Sequence, residues 1–176
     1  MTLPVSIEEA RAQLQLGGDT SHDTEVSGFI ADAAAWVAKY TGHRLEAADV
    51  TETFDGFGRL ELRAWPIFSE AIPAVAYADV SGTPVGVTGA RIDVSARPAR
   101  VLAALGARWP TVSSGTLTTV TVRAGYAAPG DVPRNFKRAM LILISAYDAD
   151  REGGDVFAKA EAAAKSLCRD YRLRRL

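Results

Sequence analysis

Residues 117–124 read LTTVTVRA, and residues 136–147 read FKRAMLILISAY. In the first stretch Val120, Val122 and Ala124 fall on one side of an extended chain, with Thr119, Thr121 and Arg123 on the other. That period of two marks a strand with one buried face. In the second stretch Ala139, Met140, Leu141, Ile142, Leu143 and Ile144 leave no polar side. A helix that is apolar all round is buried all round. It is therefore either the central helix of the domain, or a helix with part of its face against another subunit. A half-buried strand running into a fully apolar helix makes the chain α+β.

Upstream of the helix, Pro133 is placed to open it, since proline is pre-set for a first-turn position. Downstream, Gly153-Gly154 breaks it, and Asp155 is placed to cap a last helix with Phe157, Ala160, Ala164, Leu167 and Tyr171 along one narrow, alanine-rich stripe. The start of the chain is also helical. Ser6 and Glu9 have the spacing of a capping box, Ile7, Ala10 and Leu14 share a face, and Gly17-Gly18 is the expected stop. A longer helix follows, capped by Ser21 or Asp23, with Val26, Phe29, Ile30, Ala33, Val37 and Tyr40 at helical spacing and Gly42 just past its end. Trp36 widens that apolar stripe.

Between these helical ends lies a region of short alternating runs. Leu60 and Leu62 alternate with Glu61 and Arg63; Val75 and Tyr77 run into a turn over residues 79–84; Ile92 and Val94 continue the pattern. Pro66, Pro73, Pro84, Pro98 and Pro110 belong at strand entries or loops, because each removes a ladder donor. The expected architecture is a helical bundle, two helices from each end of the chain, with a small, mainly antiparallel sheet inserted.

With 176 residues, 48% apolar and 23% charged, the chain has the size and composition of one globular domain. A single cysteine, Cys168, excludes an internal disulfide and a cysteine-based zinc site. No apolar run reaches the roughly 18 residues of a membrane span. Met1-Thr2-Leu3-Pro4 lacks the features of a signal peptide, so the chain is expected to be soluble and made in a reducing compartment. The net charge of −1 argues against a surface devoted to gripping nucleic acid. It is unevenly spread: residues 1–60 sum to −6 and residues 61–176 to +5, with Arg169, Arg172, Arg174 and Arg175 against Asp170 at the end. Such segregation suits head-to-tail contact between copies or stacked partners; it is also what ordinary surface fluctuation produces.

Chemistry is sparse. His22 and His43 lack partners at metal-ligand spacing and are expected at solvated helix ends. Ser113-Ser114-Gly115 has no strand–turn–helix setting that would make a serine nucleophilic. Gly56-Phe57-Gly58 is too short to cradle a phosphate. Asp148, Asp150, Glu152 and Asp155 cluster near the Gly-Gly break and leave a small metal-dependent enzyme as the remote alternative, against plain helix-end solvation and capping. Cys168 is expected in a core or interface. What remains is an interaction protein: an over-apolar helix, Trp36, Trp65 and Trp109 in surplus, and separated charge.

Five segments carry a resemblance to a known family. They are Ser6-Ile7-Glu8-Glu9-Ala10 with Leu14-Gln15-Leu16; Ile30 to Ala34 through Tyr40-Thr41-Gly42-His43-Arg44-Leu45; Leu62 to Pro66 through Val75 to Gly82; Arg108-Trp109-Pro110 with Val120 to Tyr126; and Val132-Pro133 through Tyr147 to Arg151-Glu152. In this order they resemble the head–tail connector (adaptor) proteins of long-tailed bacteriophages and of phage-derived gene transfer particles. The resemblance implies a single connector domain over residues 1–176: N-terminal helices in 1–45, a β-region in 50–126, C-terminal helices in 133–172 and a basic tail in 173–176. It implies a non-enzymatic ring, usually of twelve subunits, seated between the portal and the next neck or tail component (a stopper or tail-terminator protein) and continuing the DNA channel without sequence-specific binding. No cofactor, metal or membrane is implied, and assembly would take place in the bacterial cytoplasm. Arg169, Tyr171, Arg172, Arg174 and Arg175 are the candidates for portal docking, and Trp36, Trp109, Met140 and Ile144 for the subunit interface. Another neck component, a stopper or tail-completion protein, is the alternative.

Overall fold

The computed structural model of the chain describes residues 3–68, 70–150 and 153–173. It divides into two compact units: residues 47–125 form one, and residues 1–46 together with 126–176 form the other. Among the described residues, four α-helices and two antiparallel sheets make the chain α+β.

In the helical unit, α1 (Ile7–Gln13) opens as the sequence implies. Glu9 N donates to Ser6 Oγ at 3.2 Å while Ser6 N donates to Glu9 Oε2 at 2.9 Å, so two backbone donors at the helix start are satisfied reciprocally. The helix stops before Gly17-Gly18. Gln15 takes the left-handed conformation (φ 60°), and Leu16 N reaches back to Arg11 O at 3.0 Å, closing the last turn without a glycine. α2 (Asp23–Thr41) carries no side-chain cap. Neither Ser21 nor Asp23 performs that role: the Asp23 carboxylate is held by the Arg11 guanidinium, with Arg11 Nε 2.7 Å from Asp23 Oδ1, and this ties α1 to α2. Gly42 (φ 69°) ends α2 as expected, donating to Ala38 O at 2.8 Å.

The apolar helix is α3 (Arg134–Ala149), with Pro133 one residue before its first turn. It packs against α1, α2 and α4 (Asp155–Cys168). Phe136, Ala139, Met140, Leu143 and Ile144 are fully enclosed among Val26, Ile30, Ala33 and Val37 of α2 and Ala164 and Cys168 of α4. Met140 and Ile144 are therefore core residues, each with no exposed surface, and have no side chain to offer a neighbouring subunit. α3 is the central helix of its unit, with Leu141 and Ile142 half-buried at its margin. Asp155 does not cap α4. Asp150, at the end of α3, does so across the break: its carboxylate accepts from Phe157 N at 3.2 Å, and the N–H groups of Gly154 and Phe157 hold it below the usual carboxylate range.

In the sheet unit, one sheet has the order β1 (Ala48–Asp55), β7 (Leu117–Ala124), β3 (Ala74–Ala78), β4 (Pro84–Val87), and the other β2 (Glu61–Leu62), β6 (Ala99–Leu102), β5 (Arg91–Asp93). β7 spans the residues that the alternation predicts, with Val120, Val122 and Ala124 buried. β3 and β4 form the expected hairpin, whose turn is held by Asp79 Oδ1 accepting from Ser81 N at 2.8 Å and Thr83 N at 2.9 Å. β1 and β6 carry no clear signal in the sequence. The central acid of β1, Glu52, accepts from Arg63 N at 2.9 Å and Ala64 N at 2.9 Å, so the strand joins the chain that leaves β2 through a carboxylate. Leu60, Leu62, Val75, Ala99, Val101, Val120 and Val122 make the core of this unit.

Candidate docking surface

The last two turns of α2 place Trp36 and Tyr40 one turn apart on one side, where helical neighbours at i and i+4 meet. Their rings stack at 5.1 Å between centroids and 12° between planes. Trp36 Nε1 donates to Glu161 Oε1 at 3.3 Å, and Glu161 Oε2 pairs with Lys165 Nζ at 2.7 Å, one turn on along α4. Lys165 first, then Trp36, hold the Glu161 carboxyl below its ordinary value. At the other end of the row the Arg172 guanidinium lies over the Tyr40 ring, 5.3 Å from its centroid. The side chains Lys165, Glu161, Trp36, Tyr40 and Arg172 thus form one continuous surface row on α2, α4 and the segment after α4.

Beneath that row the segment after α4 is pinned through Tyr171. After α4 a short 3-10 turn, Arg169–Tyr171, points Tyr171 inward. Tyr171 packs edge-on against Phe136 (4.7 Å, 70°) and against His43 (6.1 Å, 84°). His43 is only 6% exposed, with Nδ1 2.8 Å from Tyr126 Oη. This corrects the expectation of a solvated His43: the turn after Gly42 folds the ring under Tyr126 and Phe136, and Thr41 Oγ1 accepts from His43 N at 3.1 Å. The local sequence carries no signal for it, since Tyr126, Phe136 and Tyr171 lie far from His43 along the chain and only their convergence in the fold identifies the partners. His22 is exposed at the start of α2.

The candidate docking residues therefore separate by role. Arg169 is exposed, 3.8 Å from Asp170, and Arg172 is exposed on Tyr40, whereas Tyr171 is an anchor. Arg174 and Arg175 lie outside the described residues. Trp36 joins Arg172 on the same surface. Trp109 belongs to the sheet unit, where it stacks on Phe57 (5.0 Å, 16°), which in turn meets Tyr77 edge-on (5.6 Å, 72°). Trp65 carries the Arg97 guanidinium at 5.8 Å.

Among the described residues no group of three or more His, Cys, Asp or Glu is placed to hold a metal ion. Of the acids near the Gly-Gly break, Asp150 caps α4, and Glu152 lies outside the described residues. Cys168 is buried against the core, and burial pushes its thiol up to about 11. Among the described residues no helix is long and apolar enough to cross a membrane.

No protein-family model matches the chain, and no curated protein matches it in sequence. Solved structures do match its fold. A chain in the neck of an empty GTA particle, computed with C6 symmetry, is 21% identical with a TM-score of 0.77, over 98% of this chain and 91% of that one. A chain in the virion of a native gene transfer agent (GTA) particle is 21% identical with a TM-score of 0.76, over 100% and 94%. A chain in the neck of a native GTA particle, computed with C12 symmetry, is 22% identical with a TM-score of 0.70, over 94% and 89%. The chain has the fold of a component of the gene transfer agent neck, and that likeness extends through both of its units.

Proposed function

We propose that the chain is a structural adaptor of a particle neck, assembling into a ring of about twelve copies between the portal and a stopper or tail-terminator protein. The ring would continue the DNA channel without binding a sequence, and its subunits would be made and assembled in the bacterial cytoplasm. The observation that carries this reading is the likeness in fold to a gene transfer agent neck component over essentially the whole chain. The five sequence segments resemble a family that includes the connectors of such particles together with those of long-tailed bacteriophages.

The physical properties of the chain suit the role. A ring is built from heterologous contacts, in which one face of a copy meets a different face of the next. Opposite net charge in residues 1–60 and 61–176 gives such a contact a direction. A near-neutral chain does not hold passing DNA through many phosphate contacts. The basic end, Arg169 and Arg172 with Arg174 and Arg175 beyond, is the portal-facing segment in this reading, and Trp109 stays a candidate for contact between copies.

Co-purification with the portal protein encoded in the same genome tests the reading. The wild-type chain is expected to be retained by the portal at low salt. The double variant Arg172→Glu with Arg174→Glu is expected to lose retention while keeping its circular dichroism spectrum. A portal that does not retain the wild-type chain at low salt, or images of purified particles with no density for the chain at the neck, would refute the neck assignment.

A further inference from the structure

The row Lys165, Glu161, Trp36, Tyr40 and Arg172 does more than cover α2. Trp, Tyr and Arg are the residue types that dominate binding energy where proteins meet, and they do so when they are held rigidly in place beforehand. Here each is held. Trp36 is fixed by its ring stack and its bond to Glu161, Tyr40 by Trp36 and Arg172, and Arg172 by the ring beneath it and by its neighbour Tyr171, which packs edge-on against Phe136. A guanidinium lying on an aromatic ring keeps its planar fork of N–H donors available for a carboxylate, with little rotamer freedom left to lose.

The charge of the surface is also settled by its contacts. The Glu161 carboxylate is answered by Lys165 and Trp36. Lys39 on the last turn of α2 and Arg44 just beyond Gly42 are both exposed, on the same end of the helix as Tyr40. Asp32, one turn before Trp36, is exposed and marks the acidic limit of the row. The surface is thus apolar and aromatic in the middle and cationic at the Arg172 end, with the Lys165–Glu161 ion pair closing the other end.

We propose that this row is a docking surface for an acidic peptide segment that carries an apolar anchor. The anchor would settle against the Trp36–Tyr40 pair, and a carboxylate following it would take the Arg172 fork. Acidic peptide is the occupant that charge complementarity selects. Tyr40, already stacked by Trp36 and carrying Arg172, offers no bare platform for a nucleic-acid base. The inference rests on the neck reading for where such a segment comes from, a neighbouring component reached at the C-terminal end of the chain. It also joins Trp36 to the C-terminal docking residues as one surface.

The probe is a fluorescein-labelled helical peptide of alternating leucine and glutamate turns, followed by anisotropy with the whole chain at low and at raised salt. Binding is expected, weakening with salt, and roughly tenfold or more weaker for Arg172→Glu and for Trp36→Ala. Arg108→Glu, an exposed charge of the sheet unit, should leave it unchanged. Arg172 is exposed, so its variant tests the idea even where Trp36→Ala lowers stability. Equal binding by both variants, equal binding of polyglutamate without leucine, or displacement of the peptide by a single-stranded oligonucleotide at equal concentration would each overturn the docking surface. A portal that fails to retain the wild-type chain while the peptide still binds through Arg172 and Trp36 overturns the neck reading alone. Portal retention untouched by either variant overturns this surface alone.

Discussion

Met140 separates two roles for α3 that composition alone leaves open. Its side chain has no exposed surface and sits in the helical core with Phe136, Leu143 and Ile144. Truncation to alanine removes buried methylenes and a thioether and leaves a cavity, which costs about 2–5 kcal/mol in a fully buried site. Taking about 3 kcal/mol, and about 2–4 °C per kcal/mol for a chain of this length, the melting temperature should fall by roughly 6–12 °C. The loss should be seen in the isolated chain at low concentration, by circular dichroism at the helix band, and should not depend on protein concentration. Met140→Leu, nearly equal in volume, should cost less than about 1.5 kcal/mol. If Met140→Ala melts with the wild type and instead weakens only assembly, α3 faces a neighbour, and the central position argued for it is wrong.

Three further outcomes follow from single contacts. The Asp150 carboxylate is lowered by the N–H groups it caps, so its stabilisation of α4 is complete above the unfolded carboxylate range and is lost as pH falls through the lower folded value; helix content should decline with acid in that window, and Asp150→Asn should flatten the decline. Cys168, buried and with its thiol pushed up to about 11, should resist iodoacetamide at pH 8 in the folded chain and react fully in denaturant, and rapid native labelling would contradict its placement. Glu52→Ala should leave the N–H groups of Arg63 and Ala64 without their acceptor, costing about 1–3 kcal/mol in urea unfolding, with Glu52→Gln, which retains one acceptor, milder.

The helices and strand β7 were legible because their signals are local. The Ser6–Glu9 spacing, the glycine after Thr41 and the alternation of residues 117–124 each depend on neighbours along the chain. Two kinds of feature were hidden. β1 carries Glu52 where a strand core wants an apolar residue, and only the arrival of Arg63 and Ala64 gives that carboxylate a purpose. Caps supplied from another element are equally silent: Asp155 has the textual position for α4, yet Asp150, beyond a glycine pair, has the geometry. The docking row was legible only in parts. Arg172 stood out by charge and Trp36 by size, but they lie 136 positions apart in sequence and meet only because α4 returns the chain end to α2.

The helical unit is interrupted. Its two parts are separated by residues 47–125, yet the first and last strands of that insertion pair side by side, with Ala48 opposite Ala124. Residues facing each other across an antiparallel ladder are about 5 Å apart, so the detour leaves and returns at almost one point. Bringing the ends of so long a loop together costs roughly 4 kcal/mol of chain entropy, and the β1–β7 ladder meets that cost within the insertion itself. The sheet unit is thereby a clasp as well as a module. Because its two ends are held together by that ladder, a change in the length of its inner loops leaves the points where the insertion starts and ends side by side.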